Sequence, residues 1–343
     1  MFSSEVLMQA KTLSKTFLVL VSLLLLAAPA FGQIAYDEFE QGFKDFASDL
    51  ASGLPLIATI GNTWSEAYIG QLFGGLPHFG VGMTVGASTL PYDTVNAVFT
   101  DLGLSMPSDI ENFSNYGVPF PAYTADVRLG GFALPFDFGI KLGGLNSGMV
   151  GSLPFDFEYL LAGADIRFAL MEEAGPRPDI SIGIGYNYLY SEIIVPNVAG
   201  GYSIALPNTE ELQFSDPDLA MNWGASVFDL KAQISKKVLI MRPFAGLGAS
   251  YATSQVGGGL NSTVTYTGGS IDQAIQDLES LGLAVPEELN DTGINVASDV
   301  TGWGFRVFGG VGFNVLLLNL DLGIGYDIFG KNLQAALSAR MQL

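Results

Sequence analysis

The sequence predicts an all-β fold: a closed antiparallel transmembrane β-barrel of about ten strands, with short helices in the N-terminal segment and the outer loops. Three observations carry that reading. Large apolar and small polar residues alternate with period two in segment after segment. The connections between these segments alternate between long and short. The chain is also 49% hydrophobic and only 14% charged, whereas a water-soluble domain carries about 25% charge. The clearest segment is Asp179–Tyr190, where Ile180, Ile182, Ile184, Tyr186, Tyr188 and Tyr190 share one parity. Asp179, Ser181, Gly183, Gly185 and Asn187 take the other, with Leu189 as a misfit. In a membrane barrel the large apolar face meets lipid and the small polar face lines the interior.

Taken in order, the chain opens with Lys11 and Lys15 ahead of an apolar run, Phe17–Ala28. That run is too short to span a bilayer. Small residues at Ala28-Pro29-Ala30 and Ala30-Phe31-Gly32 follow, so residues 1–32 are expected to be an export signal cleaved after Ala30 or Gly32. Without Lys11, Lys15 and Glu5, Lys+Arg falls from 14 to 12 and Asp+Glu from 34 to 33, a net charge of −21. This argues against nucleic acid as a partner. With no cysteine in the chain, disulfides, iron–sulfur sites and thiol catalysis are excluded.

Residues 33–75 precede the alternating region. Tyr36, Phe39, Phe43, Phe46 and Leu50 fall at helical spacing with charged residues between them, which predicts an amphipathic helix over Tyr36–Leu50. Ala51–Leu76, punctuated by Gly and Pro, reads as irregular. The segment is a periplasmic lead-in, a plug inside the barrel, or an extra strand.

The barrel is expected over residues 76–343. Outward residues are Val81, Met83 and Val85, then Ala125 and Val127, Phe138 and Ile140, Ile166 and Phe168, followed by the opening segment. Met221, Trp223, Ala225 and Val227 continue the outward series. The pattern then slips by one residue to Leu230, Ala232 and Ile234, which predicts a bulge near Phe228. Leu247 and Ala249, Phe305 and Val307, Leu322 and Ile324, and Leu337 and Ala339 complete ten strands. Tyr123, Tyr159, Tyr190, Trp223, Tyr251, Trp303 and Tyr326 sit near the outer strand ends, where an interfacial aromatic belt belongs.

This combination resembles the outer-membrane β-barrel proteins of double-membraned bacteria, over about Leu76–Leu343. The resemblance implies placement in the outer membrane after signal cleavage, with outer-membrane lipids and the barrel-assembly machinery as partners. Assembly of that class favours an aromatic last residue, and this chain ends in Leu343. A plugging N-terminal segment is similar to the long-chain fatty-acid transporter type, although the Asn-Pro-Ala hatch motif of that family does not occur here.

Two groups of residues are candidate sites. The first is the lumen lining: Asp126, Arg128, Asp137, Lys141, Asp165, Arg167, Asp229, Lys231, Arg306, Asp321, Asp327 and Arg340. Opposite charges are close in sequence in Asp126 with Arg128, Asp137 with Lys141, Asp165 with Arg167 and Asp229 with Lys231. They form either a polar permeation path or a salt-bridged filling of a narrow barrel. The second is a cap over the outer mouth. Leu102-Gly103-Leu104-Ser105-Met106-Pro107 matches Leu281-Gly282-Leu283-Ala284-Val285-Pro286. Each follows a helical stripe, one including Phe99 and the other Leu278, and Gly then Pro reads as helix stop and restart. The two stripes are expected to cover each other.

No catalytic residue is assigned and the chain is not expected to be an enzyme. His78 is the only histidine, at the inner end of the first strand, away from where a Ser–His site on the outer rim would need it. No cofactor or metal is expected, since the acidic loop residues match no calcium-loop spacing. Two functions follow: passage of small or apolar solutes through a narrow lumen, or a surface binding or structural role in which the barrel only anchors the loops.

Overall fold

The computed structural model describes residues 36–70, 77–93, 96, 114–130, 135–150, 156–197, 201–205, 210–216, 218–280, 289–290 and 293–342. The strands in chain order begin with β1 (His78–Leu90), β2 (Val118–Gly130), β3 (Phe136–Asn146), β4 (Asp156–Met171) and β5 (Asp179–Val195). Short β6 (Tyr202–Ala205) and β7 (Glu211–Phe214) precede the long β8 (Asp218–Ser235) and β9 (Met241–Asn261). Short β10 (Val264–Tyr266) and β11 (Leu289–Asn290) precede β12 (Gly293–Val315), β13 (Leu318–Asp327) and β14 (Leu333–Gln342).

Ten of these strands form a closed antiparallel barrel. Neighbours in sequence pair along the order β12-β13-β14-β1-β2-β3-β4-β5-β8-β9, and β9 pairs with β12 to close it. Closure leaves no sheet edge, as a spanning sheet in lipid requires. The outward faces carry an apolar belt: Val85, Ile140, Ile184, Leu247, Leu322, Ile324 and Leu337 are all exposed. A continuous belt of that size far exceeds the patch a water-soluble monomer shows and matches the lipid-facing band of a membrane barrel.

Alternation holds inward and outward along the barrel strands apart from a bulge at Ala169–Met171 in β4, with one correction to the sequence reading. β8 carries no slip at Phe228, and its register against β5 and β9 is unbroken from Leu219 to Ser235. Met221, Trp223, Ala225 and Val227 point inward on the same parity as Asp229, Lys231 and Gln233, and all seven are buried. The residues change from apolar to charged because the lumen changes character along its axis. Leu189, the misfit of β5, is fully buried for the same reason. Tyr159 and Trp223 therefore leave the expected aromatic belt for the interior, while Tyr251, Trp303 and Tyr326 stay exposed on the outside.

The N-terminal helix α1 (Tyr36–Ala58) runs eight residues past the expected end at Leu50 and includes Pro55. It sits inside the barrel, where its apolar side meets an apolar wall. Leu50, Leu54 and Ile57 pack with Leu161, Leu189, Val227 and Val256 in one buried cluster. That packing, absent from local sequence signals, outweighs the helix-breaking tendency of Pro55. A one-turn helix, α2 (Ser147–Val150), tops β3. Outside the barrel, β6, β7 and β10 form a separate three-stranded sheet beside helix α3 (Ile271–Ser280).

Candidate functional site

The lumen is filled by the chain's own N-terminal segment, and the two halves of the lumen hold it differently. Toward the outer mouth the contact is apolar, through α1. Toward the inner mouth, residues 56–69 are gripped by their main chain. Lys141 Nζ donates to the carbonyls of Ala58 and Ile60, each at 2.6 Å. Lys231 Nζ reaches Asn62 O at 2.6 Å and Gln233 Nε2 reaches Trp64 O at 2.7 Å. Arg340 donates to Thr63 O, Arg167 to Glu66 O, Ser181 to Ala67 O and Gln334 to Leu56 O. The amides of Ser65, Ala67 and Ile69 donate in turn to Asp321, Ser235 and Asp137. Lys141 thus caps the carbonyl end of α1, where a cation is favourable, and the irregular backbone below it satisfies the rule that buried polar groups be paired.

One plug side chain anchors the grip. Trp64 donates from Nε1 to Asp126 Oδ1 at 2.8 Å and lies between the guanidinium groups of Arg128 and Arg340, 5.4 and 4.5 Å from its ring centroid. Gly80 makes the room: a Cβ there would stand 2.5 Å from the Trp64 ring.

All twelve sequence-derived lumen residues are buried. Their partners differ from the same-strand neighbours expected. Arg128 bridges Asp137 and Asp165 at 2.5 Å each, Arg167 binds Asp137 at 2.7 Å, and Lys231 binds Asp165 at 3.0 Å. Arg306 forks onto both oxygens of Asp229 at 2.6 and 2.8 Å. Arg340 pairs with Asp126 and Asp321. Residues two apart on a strand lie further from each other than residues on adjacent strands, so the pairs form across the sheet. Asp327 is not in this network; it accepts from the amides of Phe329 and Gly330 and fixes the short outer turn after β13.

At the inner mouth a vestibule of about 450 Å³ is lined by Glu66, Tyr68, His78, Glu173, Asp179 and Arg242, among others. Arg242 ties the plug to the rim through Glu66 at 3.6 Å, Glu173 at 3.4 Å and Asp179 at 3.0 Å. Burial, reinforced by nearby Glu172, pushes the Tyr68 phenol up to about 12. Among the described residues, no group of three or more His, Asp or Glu is arranged to hold a metal ion.

Of the expected outer cap, Phe99, Leu102, Leu104, Pro107, Leu281, Leu283 and Pro286 lie outside the described residues. Leu278 is described and buried. It packs with Ala274 of α3 against Leu212 of β7 and Val264 and Tyr266 of β10. The small outer sheet covers this stripe. Sequence reasoning also missed Trp64, Gln233, Gln334 and the apolar half of the lumen; Leu189 on the polar parity was the one visible sign of the last.

No protein-family model matches the chain, and none of the curated proteins does. Solved outer-membrane barrels are similar. The outer-membrane protease OmpT of Escherichia coli is 10% identical over 78% of this chain and 95% of its own, with a TM-score of 0.38. The translocator domain of the autotransporter NalP of Neisseria meningitidis is 9% identical over 79% and 89%, with a TM-score of 0.32. The toluene transporter TbuX of Ralstonia pickettii is 9% identical over 84% and 96%, with a TM-score of 0.23. The fold is a closed ten-stranded antiparallel β-barrel with its own N-terminal segment seated in the lumen.

Proposed function

We propose that the barrel passes small apolar solutes across the outer membrane and that residues 36–70 are its gate. The observation that carries this is the apolar outer half of the lumen. Barrel interiors are ordinarily polar, yet Leu161, Leu189, Met221, Trp223, Val227 and Val256 form an apolar wall, covered at rest by α1. A barrel that needed only filling could have continued the charged network to its outer end. When α1 shifts, the same wall receives an apolar solute. This reading assigns the protein no catalysis.

A second reading, in which the loops bind an outside partner and the barrel is an anchor, draws on the outer sheet and α3, which share a hydrophobic cluster of their own. A reversible lock separates the two. The plug's Gly61 faces Thr124 of β2, and a Cβ at Gly61 would lie 3.4 Å from Thr124 Cβ, close to disulfide range. The double variant Gly61→Cys/Thr124→Cys, in a chain with no other cysteine, should pass an apolar dye into proteoliposomes when reduced and stop when oxidised. Passage indifferent to the lock overturns the gate. No passage in either state favours the anchor.

A further inference from the structure

The inner rim of the barrel is uneven in chemistry. The β4–β5 turn carries Glu172, Glu173 and Arg177, and Gly175 takes its left-handed position at φ 58°. Turns that stand in water are ordinarily built this way. The two inner turns that follow it around the wall differ. Leu239-Ile240 is the tip between β8 and β9, and Leu316-Leu317 is the tip between β12 and β13. Neither pair has a polar side chain. Leu239 is 88% and Leu316 99% exposed. Both also sit in the left-handed region, at φ 58° and 56°, where glycine is at ease and a bulky side chain is strained. Twice, then, the chain accepts local strain to hold out a large apolar side chain.

Both tips are fixed parts of the wall. The amide of Val238 donates to Met241 O at 2.7 Å, and the amide of Met241 donates back to Val238 O at 3.0 Å. Ile240 O accepts from the amide of Asn314 on β12 at 2.8 Å, and Leu317 O accepts from the amide of Gln342 on β14 at 2.9 Å. The backbone ladder of the barrel thus reaches the tips. These carbonyls are paired without water, as a place in lipid demands.

The height of the wall decides what surrounds them. β13 and β14 have 10 residues each, and a tilted strand needs about 9–11 to cross a bilayer. Their outward residues are apolar and exposed from end to end, Leu318 to Tyr326 on one strand and Leu333 to Met341 on the other. Tyr326 marks the outer interface, where exposed aromatic rings settle. Leu316 stands 10 residues before it in the chain, about 25 Å along the membrane normal at the usual rise and tilt of such strands. The apolar band of a membrane barrel is about 25 Å tall. This hairpin has no length to spare, so its tip lies at the inner edge of the hydrocarbon.

We infer that Leu239-Ile240 and Leu316-Leu317 form a docking surface for the phospholipids of the inner leaflet, sunk among their acyl chains beneath the headgroups, while the β4–β5 turn stands in water. The lipid-facing belt runs into this surface without a break, through the exposed Met241, Val315 and Leu318. Recognition is by apolar contact alone, and it holds whether or not the barrel passes a solute. The first test uses the left-handed backbone. Asparagine suits that conformation better than leucine, so Leu239→Asn/Leu316→Asn would stabilise the barrel if the tips stood in water. In lipid the same change carries two amides to the hydrocarbon edge. The double variant, folded into phospholipid vesicles, should therefore show a lower urea midpoint than the parent protein. A raised or unchanged midpoint overturns the inference. The second test does without that variant. An NBD dye on Leu239→Cys or Leu316→Cys, in a chain with no other cysteine, should be quenched by nitroxide-labelled acyl chains. Aqueous iodide should quench it severalfold less than the same dye on Ala174→Cys, in the β4–β5 turn. Iodide reaching the tips as readily as Ala174→Cys puts them in water. Shielding from both quenchers puts a protein surface, such as a second copy of this chain, over them. Either result overturns the lipid-docking surface.

Discussion

Arg306 and Asp229 show what the buried charges do. They form a two-pronged pair at 2.6 and 2.8 Å, deep in the wall between β8 and β12. Removing one member leaves the other charge buried without a partner, which costs about 3–5 kcal/mol, whereas replacing both by apolar groups of similar volume is far milder. We expect Asp229→Leu to lower the unfolding midpoint of the detergent-solubilised barrel sharply, and Asp229→Leu/Arg306→Met to recover most of the loss. A double variant no better than the single one would mean that the network shares the pair's charge more widely. The twelve lumen residues could be read from the sequence because period two names the face each residue takes. Their partners could not, because pairing depends on register, and register is a property of two strands rather than one. Trp64 was hidden for a related reason: nothing local distinguishes an anchor held by Asp126, Arg128 and Arg340 from a tryptophan in a loose lead-in.

At the scale of elements, β5 gives the membrane prediction. Ile184 faces outward and is 57% exposed, five residues in from the inner end of a strand that runs from Asp179 to Val195. Ile184→Arg should destabilise the inserted barrel by about 2–4 kcal/mol, measured by folding into bilayers against urea; an effect below a few tenths would remove that face from lipid. β8 shows why alternation alone misleads. A sequence reader assigns apolar residues to lipid, so Met221–Val227 seemed to demand a bulge. In fact the strand is straight and the interior changes from charged to apolar. The outer sheet offers a pH test. Tyr266 donates to Glu210 and to Asp277 Oδ2, the latter at 2.7 Å. These bonds, that to Glu210 foremost, hold the phenol above its ordinary range. A raised folded value means the proton favours the folded loop, so this stabilisation is complete below about pH 10 and fades as the pH rises beyond it. Limited proteolysis of the outer loops should accelerate there, and Tyr266→Phe should abolish the pH step.

Across the whole molecule, the barrel class was legible because closure, alternation and loop length are written along the chain. The plug was only one of three readings of residues 33–75, since a segment gripped through its carbonyls needs no particular side chains and leaves no pattern that would choose it. The same grip sets the order of assembly. The plug carbonyls of Leu56 and Thr63 are held by Gln334 and Arg340 of β14, 278 and 277 residues away. Contacts of such separation are the slowest to form. Residues 56–69 are therefore made early and must wait, unhoused, until the last strand arrives and the wall closes around them. A chain built this way reports its own completion: the plug finds its seat only in a barrel that has finished folding.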